Sequence, residues 1–188
     1  MPSLTRMLGR AFFDDPLAVW ACRSAALRPG VLESIHHARL RQLLAYGEIW
    51  TTSETSSAAL WAPPGRLRTT LLQNARLARG FLHPHLLMRL PMLALGLTKI
   101  QRRRPHGPLH WYLSLLGTDP DAQGHGHGSA VLAPVLKMCD GEGVGAYLES
   151  SHERNLDFYA RHGFRVTGEL RLPCGPRVWT MWREPRAR

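Results

Sequence analysis

Apolar residues recur at intervals of three and four near the start of the chain. Leu4, Met7, Leu8, Ala11 and Phe12 would line one side of a helix over 3–13. Asp14-Asp15-Pro16 ends that run. A second amphipathic helix is expected over 31–46, through Ile35, Leu40, Leu43 and Leu44. Two short strands follow, 48–52 and 58–61, around a polar hairpin loop at 53–57. Ala62-Pro63-Pro64-Gly65 stops the second strand. Residues 67–100 read as largely helical, broken near Pro84 and Pro91, and 102–108 as a basic connector with prolines.

The pattern then changes. A strongly apolar strand at 110–118 leads into the glycine-rich loop 124–128, and a helix over 129–139 carries Val131, Leu132, Val135, Leu136 and Cys139 on one face. A strand at 146–150, a short helix at 155–162 ended by Gly163, and closing strands at 164–172 and 177–183 complete the chain. This order predicts a mixed α/β fold. The strands on either side of the 129–139 helix should lie parallel and adjacent, because a helix crossover joins them.

Composition adds limits. The chain has 188 residues, 44% hydrophobic and 20% charged, which suits one folded domain over 1–188. No signal or transit pattern opens it, and the most membrane-like run, 86–97, is interrupted by Arg89 and Pro91. No membrane association is therefore expected. Cys22, Cys139 and Cys174 are odd in number and far apart, which offers no disulfide framework or zinc pairing and fits a cytoplasmic setting. The net charge of +10 is spread along the chain without interleaved aromatics, so nucleic acid is not the expected partner. A polyanionic small molecule would also use a basic mouth.

The candidate chemistry centres on Gln123-Gly124-His125-Gly126-His127-Gly128, placed between an apolar strand and a helix opened by Ser129. A helix start offers unpaired N–H groups and a positive dipole end, and glycines let backbone wrap closely round a diphosphate. His125 and His127 have no third ligand nearby and make a poor metal site, so none is expected. The glycine spacing does not fit a dinucleotide fold, and no Lys-Ser/Thr pair follows as in a Walker loop. A plain tight turn is the remaining alternative.

These residues match the Q/R-x-x-G-x-G/A signature of the GNAT (Gcn5-related N-acetyltransferase) superfamily. The blocks Tyr147-Leu148-Glu149-Ser150-Ser151 and Asn155 to Phe164 resemble the family's next strand and helix. The closing Gly175 to Met181 is similar to the end of puromycin N-acetyltransferase-like actinobacterial enzymes. The resemblance covers 110–183 and implies an acetyl-CoA-binding core there, with 1–109 on the acceptor side. It implies a GNAT-like mixed sheet, flanked by helices, whose parallel pair splays apart. It also implies transfer of acetyl from acetyl-CoA to a primary amine of a small molecule, by direct attack through a tetrahedral intermediate. Leu116, Gly117 and Thr118 would meet the pantetheine arm, with a bulge at Gly117, while the 123–129 loop would take the diphosphate.

Tyr159 is the expected general acid and Glu149 the candidate base, the alternatives being a core aromatic and an ion pair with Arg154 or Arg177. Asn155 can cap its helix, touch pantetheine, or both. Asp14 and Asp15 can draw a cationic amine or simply form a turn with Pro16, and Trp61 can line an acceptor pocket or the core. Two other functions stay open: acetylation of a protein or peptide, and non-catalytic sensing of acyl-CoA. The family's first edge strand has no counterpart before residue 3: either it is absent or a stretch upstream of Met1 supplies it, and its loss would leave the 48–52 strand with unpaired backbone groups that invite pairing with another chain, as in a homodimer.

Overall fold

In the computed structural model, which describes residues 2–45, 47–66 and 88–186, the two predicted N-terminal helices form as α1 (Pro2–Ala11) and α3 (Arg28–Leu43). Between them lies α2 (Pro16–Ala21), which hydrophobic spacing alone does not announce. Its start is written in Asp15-Pro16. The Asp15 carboxylate accepts the N–H groups of Leu17 at 2.8 Å and Ala18 at 3.3 Å, and Pro16 fills the first helical position. The same three residues thus end one helix and begin another.

Six strands follow: β1 (Glu48–Thr51), β2 (Ser57–Ala62), β3 (His110–Thr118), β4 (Gly145–Ser150), β5 (Arg165–Arg171) and β6 (Arg177–Arg183). They form one sheet in the order β1-β2-β3-β4-β6-β5. Only β3 and β4 run parallel, joined by the helix α5 (His127–Glu142), as its crossover position requires. Helices α4 (Leu90–Gln101) and α6 (Leu156–Arg161) complete the described elements. Pro91 lies in the first turn of α4, which starts at Leu90 directly after a turn at Met88 and Arg89, the place where a break is expected. The expected helical run over 67–87, with its break at Pro84, lies outside the described residues. No described helix is long and apolar enough to cross a membrane.

Side chains alternate across the sheet. Ala58, Leu60 and Ala62 face α1 and α3, together with Tyr112 and Tyr147. Ala59 and Trp61 face α5, whose buried Val131, Leu132, Val135, Leu136 and Cys139 are the stripe read from the sequence. Trp61 has no exposed surface and belongs to this core, so the expectation that it lines an acceptor pocket does not hold. A third apolar cluster ties α2 and α4 to the β5–β6 end. There the Trp20 indole donates to the Pro173 carbonyl at 2.9 Å and packs where Gly96 and Gly175 lack side chains.

The feature that shapes the site is a break in pairing. β3 bonds β4 only from His110 to Leu113, opposite Gly145 to Leu148, and the strands then part. On its other side β3 slips register against β2. Trp61 faces Leu113 but Leu60 faces Leu115, so Ser114 is the extra residue of a bulge. The bulge falls at Ser114, three residues before the Gly117 expected from the sequence. Gly117 serves a different need, because α1 crosses directly over it. A Cβ there would come within 2.9 Å of Leu8 Cδ2 and 3.1 Å of both Ala11 Cβ and Phe12 Cε2.

At the sheet's far side β1 is the edge strand, and among the described residues no strand precedes α1.

Two outcomes follow from this packing. Gly117→Ala should cost about 1–3 kcal/mol by overpacking, read as a melting temperature lowered by several degrees, while the far-side Gly30→Ala, with no atom within 4 Å of its Cβ, should not. His36, buried on α3 beside the Phe12 ring at 5.3 Å, is pushed down to about 4 by burial and by the charge of Arg39. The unfolded chain takes up a proton near pH 6.5 that the folded chain refuses until about pH 4. Stability from this group is complete above pH 6.5 and falls as the pH drops toward 4, by about 2 kcal/mol between 6.5 and 5. Denaturant melts of wild type and His36→Gln across that range should show the slope flattened in the variant.

Candidate active site

Beyond the bulge, β3 delivers Leu116, Gly117 and Thr118 to the mouth of the gap and then turns sharply. Asp119 caps a one-turn 3₁₀ helix (Pro120–Ala122), accepting the Asp121 N–H at 3.1 Å. Arg10, in the last turn of α1, clamps this corner with its Nη2 2.6 Å from Asp121 Oδ2 and 3.3 Å from Asp119 Oδ1. The Gln123 amide donates back to the Thr118 carbonyl at 3.3 Å. Gly124 and Gly126 then take φ values of +82° and +79°, a left-handed path that glycine adopts without strain.

Helix α5 starts directly after this path. The Gly126 carbonyl receives the first helical bond, from Ala130 at 3.0 Å, so the N–H groups of His127, Gly128 and Ser129 belong to the unpaired donors of a helix start. All three residues line a cleft of about 640 Å³, as do Leu116, Gly117, Thr118, Gln123, Gly124 and Gly126. His125 does not. It is exposed, with Nδ1 2.9 Å from the Gln123 carbonyl of its own loop. The Ser129 hydroxyl lies 2.9 Å from His162 Nε2, a ring whose pKa is lowered by burial and by Arg161, Arg186 and Arg183.

The facing wall comes from α6 and from the corner between α1 and α2. Asn155 occupies the N-cap position of α6, yet its side chain makes no capping bond, and it lines the cleft. Phe158 does so too, with its ring against Gly128, rather than serving only as a core aromatic. Arg154 and Arg161 add two cations to the lining, and among the described residues neither pairs with a carboxylate.

Tyr159 is 7% exposed and lines the same cleft, where its hydroxyl has no hydrogen-bond partner among the described residues. Burial, then the negative charge of Asp15, push the phenol well above its usual value, so it holds its proton at neutral pH.

Asp14 and Asp15 reach the cleft as well. Asp15 serves as a cap for α2 and is also bound by the Ser151 hydroxyl, 2.7 and 2.8 Å from its two oxygens. Ser151 was not singled out from sequence. Nothing short of the fold brings it to a residue 136 positions away.

Glu149 does not line this cleft. Its Oε1 is 2.8 Å from Arg104 Nε and its Oε2 accepts the Tyr112 hydroxyl at 2.7 Å. The expected partners are engaged elsewhere: Arg154 lines the cleft, and Arg177 pairs with Glu169 at 3.3 Å. Among the described residues no group of three or more His, Cys, Asp or Glu is placed to hold a metal ion.

Residues 94–164 match the acetyltransferase (GNAT) family. An uncharacterized N-acetyltransferase of Schizosaccharomyces pombe is 28% identical over 175 residues, 82% of this chain, and the match spans 66% of that relative's length, a little under two thirds. Among solved structures, one described as histone acetyltransferase HPA2 and related acetyltransferase from Corynebacterium glutamicum superposes with a TM-score of 0.70 at 23% identity. It covers 100% of this chain and 92% of its own. Naa20 of Chaetomium thermophilum, solved with a bisubstrate analogue, gives 0.54 at 10% identity over 98% of this chain and 84% of its own, a likeness of fold. The segment that matches the acetyltransferase (GNAT) family runs from α4 through the glycine turn to the end of α6 and supplies most of the residues that line the cleft.

Proposed function

We propose that this chain is an acetyl-CoA-dependent N-acetyltransferase acting on a primary amine of a small molecule. One observation carries the reading. The unpaired N–H groups at the start of α5 and the protonated phenol of Tyr159 open onto one cleft, at the place where β3 leaves β4.

The cleft fits the coenzyme. Cβ atoms at Gly124 and Gly126 would meet nothing within 4 Å, so the turn presents bare backbone to open space. The N–H groups of 127–129 would hold the diphosphate with the dipole of a sixteen-residue helix behind them. Arg154 and Arg161 suit the remaining phosphate charge. Leu116 to Thr118, freed from β4, have backbone groups available to the pantetheine arm, and Asn155 has an amide not used as a cap.

Acetyl-CoA, when bound, supplies an acyl group activated as a thioester. What the chain contributes is placement and a proton. Backbone N–H groups in the gap near Leu116 are positioned to stabilise negative charge on a carbonyl oxygen. Tyr159 holds a proton at its phenolic oxygen that it can give to a departing thiolate, and Asp15 keeps that proton in place until then. Asp14, exposed at the same mouth, supplies negative charge to an approaching ammonium. The depth of Tyr159 supports a slender small-molecule amine over a side chain on a folded protein.

Two measurements test this. Tyr159→Phe should lower turnover about a hundredfold or more while acetyl-CoA affinity stays near wild type, and unchanged turnover would remove Tyr159 as the acid. Saturating acetyl-CoA, at about 100 times its dissociation constant, should add about 2.7 kcal/mol to wild-type stability. Gly126→Val should abolish that gain, because a side chain in the turn would block the bare N–H groups; a full gain in the variant would discredit the loop assignment.

A further inference from the structure

The start of α5 is fastened from behind by a residue that lies outside the cleft lining. His162 follows the last residue of α6, and Gly163 after it takes φ +90°, which closes the helix there. The half-buried His162 ring is turned toward α5. Its Nε2 lies 2.9 Å from the Ser129 hydroxyl, and its centre lies 4.9 Å from that of the Phe158 ring. Both of those neighbours line the cleft, while His162 does not.

Three cations surround this ring. Arg161 comes from its own helix and also lines the cleft. Arg183 of β6 donates from Nε to the His162 carbonyl at 3.0 Å, and Arg186 follows the same strand, with its Nη2 3.4 Å from where a Gly163 Cβ would stand. The Asp140 carboxylate on α5 is already taken, by Nη1 and Nη2 of Arg183 at 2.8 Å each and by the Arg186 N–H at 2.7 Å. Burial, then Arg161, Arg186 and Arg183, hold the imidazole below its ordinary value, so it is neutral at pH 7 in the free chain.

Protonation decides what Ser129 offers the cleft. In a neutral ring with its proton on Nδ1, Nε2 accepts the serine proton, and only lone pairs of the hydroxyl face the cleft, the wrong sign for a phosphate. A protonated ring donates from Nε2 and frees the serine proton to point outward.

We infer that His162 is a positioning residue for the coenzyme: when the diphosphate binds, the ring takes up a proton from solvent and turns the Ser129 hydroxyl into a donor to a phosphate oxygen, an assignment that rests on the acetyl-CoA reading above. The bound anion supplies the negative charge that the three arginines lack, so the ring becomes more basic in the complex. A group more basic in the complex tightens binding as the pH falls from its bound value toward its free one, and the free value here lies below 6.5.

The test is acetyl-CoA affinity by calorimetry at pH 8 and pH 6, for wild type, His162→Gln and Ser129→Ala. The phosphomonoester of acetyl-CoA also titrates, at about pH 6, and a ratio of wild-type to variant affinity cancels that contribution. Relative to His162→Gln, wild type should gain at least about threefold in affinity from pH 8 to pH 6, the result of a rise of about one unit in the imidazole on binding. It should gain about as much relative to Ser129→Ala, in which the ring has no hydroxyl to turn. A flat ratio to His162→Gln overturns the inference and leaves His162 as a fastening between two helix ends. A Ser129→Ala chain that keeps the whole gain overturns the positioning role, because the charge then acts without the hydroxyl. Acetyl-CoA still binds in both of those outcomes; a wild-type chain that shows no binding heat and no melting shift with acetyl-CoA overturns the coenzyme reading as well.

Discussion

The site depends on a parallel strand pair that stops pairing after Leu113 and Leu148. A continuous ladder would fill the space between β3 and β4 with its own hydrogen bonds and leave no room for a ligand. The extra residue at Ser114 ends the ladder on one side and re-phases the strand on the other. Tyr112 and Leu115 both come to face the α1/α3 layer, although they stand three positions apart, an odd offset that regular alternation would put on opposite faces. The sheet stays continuous through β2, so the gap is held open by a rigid frame. Arg10 fixes the far end of β3 by reaching across to Asp119 and Asp121, which sets the direction in which the glycine turn leaves the strand.

Around that gap the chain places charges by element ends rather than by a run of basic residues. The start of α5 on one wall and the Arg154 and Arg161 side chains on the facing one make the cleft electropositive. Asp14 and Asp15, at the corner between α1 and α2, add acidic charge near Tyr159. A polyanion and a cationic amine would each find a complementary surface within one cleft, with a proton-holding phenol in it. Asp15 shows how one residue can serve twice. It caps α2, which fixes its position, and its charge helps keep Tyr159 protonated.

The N-terminal helices are more than a cover. α1 lies so close to β3 that Gly117 has no room for a side chain, and Trp20 of α2 reaches the β5–β6 turn and α4. Each wall of the cleft is therefore braced by residues far away in sequence. This gives a physical reason for the N-terminal and C-terminal halves to fold as one unit.

The sequence by itself determined the local elements and the glycine turn. The stripe Val131, Leu132, Val135, Leu136 and Cys139 needs only helical spacing, the parallel pair follows from the crossover, and Gln123 to Ser129 is a contiguous block whose backbone chemistry is local. Asp15-Pro16 also carried the start of α2, a signal of capping rather than of hydrophobic period. What tertiary structure alone decided were the contacts between distant segments. The bulge went to Ser114 because β3 must register against β2 on one side and shed β4 on the other, a conflict no single strand encodes. Trp61 went to the core because its strand faces α5, and Glu149 met Arg104 rather than Arg154 or Arg177 because the connector after α4 folds over the α1/α3 face. Which partner a side chain finds is set by which faces are brought together, and that is a property of the packed sheet.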